Sequence, residues 1–234
     1  MQFIDNRLYI SHMREIFEKA SIAELRSLMD QQCGEDALDL TPRELQLANQ
    51  GVLPDKCRVD RRWYKLFSSY KANYHHIFYP FTHVTFPVVV RRVIDSSKHF
   101  VPWHQDFAYM KELPDNRRHD QTLTCFVPLD LQPNKHTTLQ FSSENQDHPL
   151  HLYRHDRFVQ NYGLGINAEF KDVFTFNLDS GDALVFGDHA IHRTYNPPGN
   201  DIKRMSLEFR LVKSSSLLPG KDYYCLEDSK FIVA

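Results

Sequence analysis

His104 and Asp106 stand two residues apart just after the turn at Pro102. On an extended chain such positions point to one side, so an imidazole and a carboxylate can reach the same ion from one short segment. H-x-D alone says little, because about one such pair arises by chance in a chain with this much histidine and aspartate. Its weight comes from a second segment nearer the C-terminus. Ser180, Gly181 and Asp182 make a turn into the apolar run Ala183 to Phe186, and Asp188, His189, Ala190, Ile191, His192, Arg193 and Thr194 come after it. Two histidines and one carboxylate on a β scaffold make a facial triad, which leaves three positions of an octahedral iron(II) open. Zinc sites with similar ligands are usually tetrahedral and need fewer vacancies.

His189 and His192 compete for the third position, and on an unbroken strand their odd separation puts them on opposite faces. The residues C-terminal to His192 favour it over His189. After Thr194 and the loop Asn196 to Asn200 comes a strand on which Arg204, Ser206, Glu208 and Arg210 share one face. A guanidinium is always charged and offers a planar fork of donors, so Arg204 suits the far carboxylate of a dicarboxylate whose other end is held by the metal. Thr194 can add a hydroxyl donor there. Arg210 is the reserve for this role, and the plain alternative for Arg204 is a salt bridge to Glu208. Trp103, Phe107 and Tyr109 flank the triad and suit a pocket wall as well as core packing. Arg91 and Arg92 can meet an anionic substrate or simply face solvent.

The elements needed to position these groups are readable in outline. Ile10, Met13, Ile16, Phe17, Ala20, Leu25, Leu28 and Met29 recur at helical spacing, with Ser21 and Glu24 as a capping box, so the first thirty residues are expected to be mostly helical. Thr41, Pro42 and Glu44 start a short helix that stops near Gly51. Trp63, Leu66, Phe67 and Tyr70 mark an amphipathic helix over residues 61–74. From Val84 onward, Val84 to Ile94, Leu123 to Leu129, Val173 to Leu178, Ala183 to Phe186 and Met205 to Val212 are β-branched or aromatic runs between turn residues. The polar stretch 132–171 is too long for a turn and reads as a partly structured lid.

These residues, taken in order, carry a family resemblance. W-H-Q-D at Trp103 to Asp106, C-F-V-P-L-D at Cys125 to Asp130, G-D-A-L-V-F at Gly181 to Phe186, and H-R-T at His192 to Thr194 with the later Arg204 resemble the phytanoyl-CoA dioxygenase superfamily of iron(II)/2-oxoglutarate-dependent oxygenases. The resemblance covers roughly Val88 to Val212 and departs from the family after Asp130, where Lys135 to Ser143 replace a familiar glycine- and proline-containing stretch. It implies a mainly β fold with N-terminal helices and a double-stranded β-helix (jelly-roll, cupin-like) core. It further implies Fe(II) at His104, Asp106 and His192, 2-oxoglutarate at Arg204 and Thr194, and Phe126 as an aromatic beside the co-substrate.

The expected layout is one oxygenase domain over 1–234. It has a mostly helical part over 1–83, a β-helix core over 84–212 with the lid-like insertion 132–171, and an extension over 213–234 that either folds over the core or mediates self-association. The expected activity is hydroxylation, or desaturation or cyclisation, of a C–H bond in a small organic molecule, with O2 and 2-oxoglutarate consumed and succinate and CO2 released. Halogenation is disfavoured because Asp106 fills the position a halide would need. Hydroxylation of a protein or nucleic acid, and a catalytically silent metal-binding β-helix, stay open as alternatives.

Composition bounds the rest. At 234 residues and 41% hydrophobic content, the chain can bury one sizeable core. With 28 basic and 30 acidic side chains, no global field argues for wrapping nucleic acid or lying on an anionic membrane. Cys33, Cys57, Cys125 and Cys225 form no C-x-x-C pair, which fits reduced thiols in a cytoplasmic protein. Met1 to Ile10 lack the basic start and apolar run of a signal peptide.

Overall fold

Thr122–Pro128 is buried at all seven positions, the condition of a strand covered on both faces. The computed structural model describes residues 10–33, 67, 78–85, 89–93, 101–107, 121–129, 138–144, 153–154, 164–165, 168–195 and 204–234. For residues 29–33, 89–93, 138, 153–154, 164–165 and 204 the description is of the backbone. The elements are β1 (Ile10–Met13), α1 (Lys19–Cys33), β2 (Phe81–Thr85), β3 (Val89–Val93), β4 (Thr122–Pro128), β5 (Thr138–Ser142), β6 (Tyr153–Arg154) and β7 (Leu164–Gly165). They continue with β8 (Val173–Thr175), β9 (Ala183–Gly187), β10 (His192–Tyr195), β11 (Arg204–Lys213), β12 (Asp222–Cys225) and β13 (Lys230–Val233).

A major sheet runs β1-β9-β4-β11-β2-β12-β13, and β3 lies beside β2 along the same edge of β11. A minor sheet runs β10-β5-β8, and β6 pairs with β7 alone. The segment before Asp106 extends the minor sheet: Thr194 donates to the Val101 carbonyl at 3.0 Å, and His104 and His192 exchange backbone hydrogen bonds at 2.9 and 3.0 Å. Two antiparallel sheets face to face with these connections form the double-stranded β-helix.

Alternation along the major sheet builds two cores. Leu123, Cys125 and Val127 of β4, Ala183 and Val185 of β9, and Met205, Leu207, Phe209 and Leu211 of β11 face an outer layer that includes Ile16, Phe17, and Ile22 and Leu25 of α1. The intervening residues face the minor sheet, where Phe126, Leu184 and Phe186 meet Leu139 and Phe141 of β5. Burial of Cys125 pushes its thiol up, against the nearby Arg210, so it stays neutral.

Two expectations need correction. Ile10–Met13 is a strand paired with Ala183 to Phe186, not the start of a helix; the helix begins at Lys19. Four residues cannot distinguish the two periods, and an open sheet edge takes precedence over local spacing. Thr138–Ser142, inside the stretch read as a lid, is the central strand of the minor sheet, with Leu139 and Phe141 buried. The C-terminal segment folds back as the hairpin β12–β13 beside β2. The helices expected over 41–51 and 61–74 lie outside the described residues, apart from Phe67, a buried member of the outer core. Among the described residues, no helix is long and apolar enough to cross a membrane.

Candidate metal centre

The site is assembled by main-chain pairing before any side chain is considered. His104 and His192 face each other in an isolated antiparallel bridge, which brings their rings to 4.1 Å between centroids. The next residues are tied to the turn before β10. Gln105, fully buried, donates its Nε2 to the His189 carbonyl at 2.9 Å, and the Phe107 amide donates to the Asp188 carbonyl at 2.8 Å. Asp106 is thereby held between the two imidazoles. Its Oδ1 lies 3.7 Å from His104 Nε2 and 3.9 Å from His192 Nε2. One ligand atom from each of the three buried residues lies within 4.8 Å of the others.

The hydrogen bonds fix which nitrogens carry protons. His104 Nδ1 lies 2.7 Å from the Pro102 carbonyl and His192 Nδ1 lies 2.9 Å from the Ala190 carbonyl. A carbonyl only accepts, so each Nδ1 carries the proton and each Nε2 presents its lone pair. Burial, helped by the neighbouring His192, lowers the His104 pKa to about 3, and burial also lowers that of His192. Two neutral imidazole lone pairs and a carboxylate oxygen thus converge on one point. This donor set fits a divalent cation, with both rings already in the tautomer a metal needs.

Asp106 uses its second oxygen differently. Arg210 Nη2 sits 2.9 Å from Oδ2, and the Thr124 hydroxyl donates to the same atom. Burial alone would raise the Asp106 pKa; Arg210, the two histidines and the Thr124 bond outweigh it and bring the pKa to about 2. Arg210 and Thr124 are directly opposite in the register of β11 and β4, so two strands of the major sheet aim the carboxylate carried by the minor-sheet segment. Phe186 packs edge-on to the His192 ring at 4.6 Å and Phe141 stacks on it at 5.8 Å, closing the apolar side of the centre.

The other residues singled out from the sequence fall into separate places. Thr194 is buried, and its hydroxyl accepts from the Val101 amide at 3.2 Å while remaining able to donate. Phe126 lies in the inner core with Leu184 and Phe186. Trp103 is buried against Ile191 and Phe170, with the Arg193 guanidinium 4.5 Å above its ring. Phe107 packs edge-on to His189 at 4.6 Å. Arg204 opens β11 opposite Val93, and Arg91 lies opposite Ser206 on β3; both side chains lie outside the described residues, as does Tyr109. Sequence reasoning missed Thr124 and Gln105. Gln105 sits inside the H-x-D motif and Thr124 two positions before Phe126, but nothing local shows which groups they meet.

No family model matches the sequence, and no curated protein matches it. Solved structures share the fold. A non-heme monooxygenase, ThoJ, in its apo form, is 14% identical with a TM-score of 0.61, over 88% of this chain and 75% of that one. SnoK, a non-heme alpha ketoglutarate dependent carbocyclase from nogalamycin biosynthesis, is 10% identical with a TM-score of 0.57, over 94% and 82%. EvdO2 from Micromonospora carbonacea var. aurantiaca, complexed with 2-oxoglutarate, is 17% identical with a TM-score of 0.56, over 91% and 92%.

Proposed function

We propose that this chain is an iron(II)- and 2-oxoglutarate-dependent dioxygenase that hydroxylates, desaturates or cyclises a C–H bond of a small organic molecule. The observation that carries the reading is the convergence of one ligand atom each from the buried His104, Asp106 and His192 within 4.8 Å of one another in a double-stranded β-helix. His104, Asp106 and His192 would hold the iron, which would supply the sites for a chelating keto acid and dioxygen. The fold shared with a 2-oxoglutarate-bound protein supports the same reading.

Iron(II), when bound, supplies dioxygen activation coupled to decarboxylation of 2-oxoglutarate, giving succinate and CO2. The chain's own part is positioning. The Pro102 and Ala190 carbonyls hold the two imidazoles in the ligating tautomer, while Arg210 and Thr124 keep Asp106 ionised and aimed. The aromatic wall of Phe141 and Phe186 excludes water from one side of the centre. Because Arg210 is engaged with Asp106, Arg204 is the better anchor for the distal carboxylate of 2-oxoglutarate, with Thr194 as a second donor.

The test is release of labelled CO2 from 1-labelled 2-oxoglutarate with iron(II), with and without ascorbate. Slow, iron-dependent succinate formation is expected without primary substrate. It should be lost in His104→Ala and in His192→Ala, and in Arg204→Ala it should be recovered only at much higher 2-oxoglutarate. No succinate from the wild type under any metal would overturn the proposal.

A further inference from the structure

The minor sheet has a second face, turned away from the metal centre, and one row across it carries donors that the proposed chemistry does not use. His104 and His192 form the bridge that brings the two metal-ligating rings together. Their neighbours Trp103 and Arg193 are therefore cross-strand partners on the reverse side of the same antiparallel pair. In the registers of β10 with β5 and of β5 with β8, Arg193 stands opposite Gln140 and Gln140 opposite Thr175. The row thus runs Trp103, Arg193, Gln140, Thr175. His192 and Phe141, the next pair along, point inward and stack on each other. Arg193 is fixed on two sides within the row: its guanidinium carbon lies 4.5 Å above the Trp103 ring, and its Nε donates to Gln140 Oε1 at 2.8 Å. Phe170 meets Trp103 edge-on at 5.0 Å and gives the row an apolar border.

What the row lacks is an acceptor. Among the described residues, neither terminal nitrogen of Arg193 has a hydrogen-bond or ion-pair partner, and neither is sealed from water. Gln140 turns its amide oxygen to Arg193, so its amide nitrogen is left as a further donor. Burial lowers the basicity of Arg193, and the titratable group that works against this is Tyr195, a phenol rather than a carboxylate. A guanidinium stays charged even when half-buried, so Arg193 has lost part of its water without gaining a counter-charge among the described residues. We infer that Trp103, Arg193 and Gln140 form a binding site for a small organic oxyanion, a carboxylate or a phosphate ester, back to back with the metal centre. With Nε committed to Gln140, the open edge of the guanidinium is the one formed by its two terminal nitrogens, which can meet two oxygens of such a group side by side. Trp103 and Gln140 hold that edge in place, so little side-chain freedom is lost on binding. The inference does not depend on the metal or on the oxygenase reading.

The experiment is a calorimetric titration of the full chain with benzoate, with phenyl phosphate and, as the uncharged counterpart, with benzamide. The chain is first treated with a chelator, so that no metal competes for the anions. The proteins are wild type, Arg193→Gln, Arg193→Lys and His104→Ala, each checked by thermal unfolding. Saturable binding of benzoate or phenyl phosphate is expected, the tighter of the two naming the group the site takes, with benzamide weaker by about tenfold or more. Loss of the charged fork in Arg193→Gln should weaken the oxyanion by about tenfold or more, while His104→Ala should bind as the wild type does. Should Arg193→Gln not fold, a clear loss in Arg193→Lys serves in its place, since an ammonium keeps the charge but cannot offer the fork. No saturable binding of either oxyanion, binding unchanged in the Arg193 variant that folds, or benzamide bound as tightly as benzoate would overturn the inference. So would binding lost in His104→Ala and kept in the Arg193 variant, which would place the anion at the metal centre.

Discussion

The two oxygens of Asp106 divide their labour: Oδ1 faces the imidazoles, while Oδ2 is held by Arg210 and Thr124. Groups that orient a ligating carboxylate typically govern metal affinity by about 10- to 100-fold. Arg210→Gln should therefore weaken binding of iron(II), or of manganese(II) as a stable substitute, by that factor in calorimetric titration. Arg210→Lys should lose less, keeping the charge but not the planar fork. At this scale the sequence was most legible where ligands are close in number, as with His104 and Asp106. The turn and apolar run before His192 located the third candidate. The pairing of Arg210 with Asp106 was not legible, because it depends on how β11 registers with β4 and on how the 101–107 segment crosses between sheets. Alternation alone placed Arg210 on the correct face without saying what it would meet.

Among the elements, the turn entering β9 shows how a local choice fixes a long-range contact. Gly181 has φ +95°, and a Cβ there would lie 2.5 Å from the Phe17 carbonyl oxygen; the Gly181 carbonyl also accepts from the Phe17 amide at 3.0 Å. Gly181→Ala should cost about 2 kcal/mol or more through strain and clash, seen as a fall in thermal midpoint of about 5 °C or more. Beside it, the Asp182 carboxylate accepts from His12 Nε2 at 2.8 Å, the Glu15 amide at 2.9 Å and the Asp179 amide at 3.0 Å. Burial works to raise its pKa, but these bonds win and hold it below the usual carboxylate range. A group lowered in the folded state adds stability above its unfolded pKa, and that stability is lost as pH falls through the folded value. Asp182→Asn should therefore lower the midpoint at pH 7 and flatten its decline on acidification below about pH 4, as followed by circular dichroism. The same contacts explain the misread start of the chain. Ile10 and Met13 fit a helical period, yet His12 and the β9 edge draw the segment into the sheet. β5 was hidden for a related reason: Thr138–Ser142 is short, set among polar residues, and owes its burial to β8 and β10 on either side.

For the molecule as a whole, the class was readable because apolar runs of strand length recur from Val84 to Val212. The sheet order was not, because strands far apart in the chain become neighbours. β2 and β12 are separated by more than half the sequence, yet they pair through Thr85 with Tyr223 and Val84 with Tyr224. Tyr223 and Tyr224 are buried, and Tyr224 belongs to the outer core. Removing residues 222–234 should expose the edge of β2 and part of that core. Aggregation on size-exclusion chromatography and a lower thermal midpoint are the expected outcome; a monodisperse, equally stable shortened chain would show the hairpin to be dispensable.

The bridge between His104 and His192 has a consequence for how an ion would arrive. Since backbone pairing and not the ion ties the two ring-bearing segments together, the cage is expected to stand without its guest. Loading should then proceed as quickly as the ion can shed its hydration shell and enter, with no slow rearrangement of the chain behind it. Stripping the ion with a chelator should leave the cage standing, ready to be refilled.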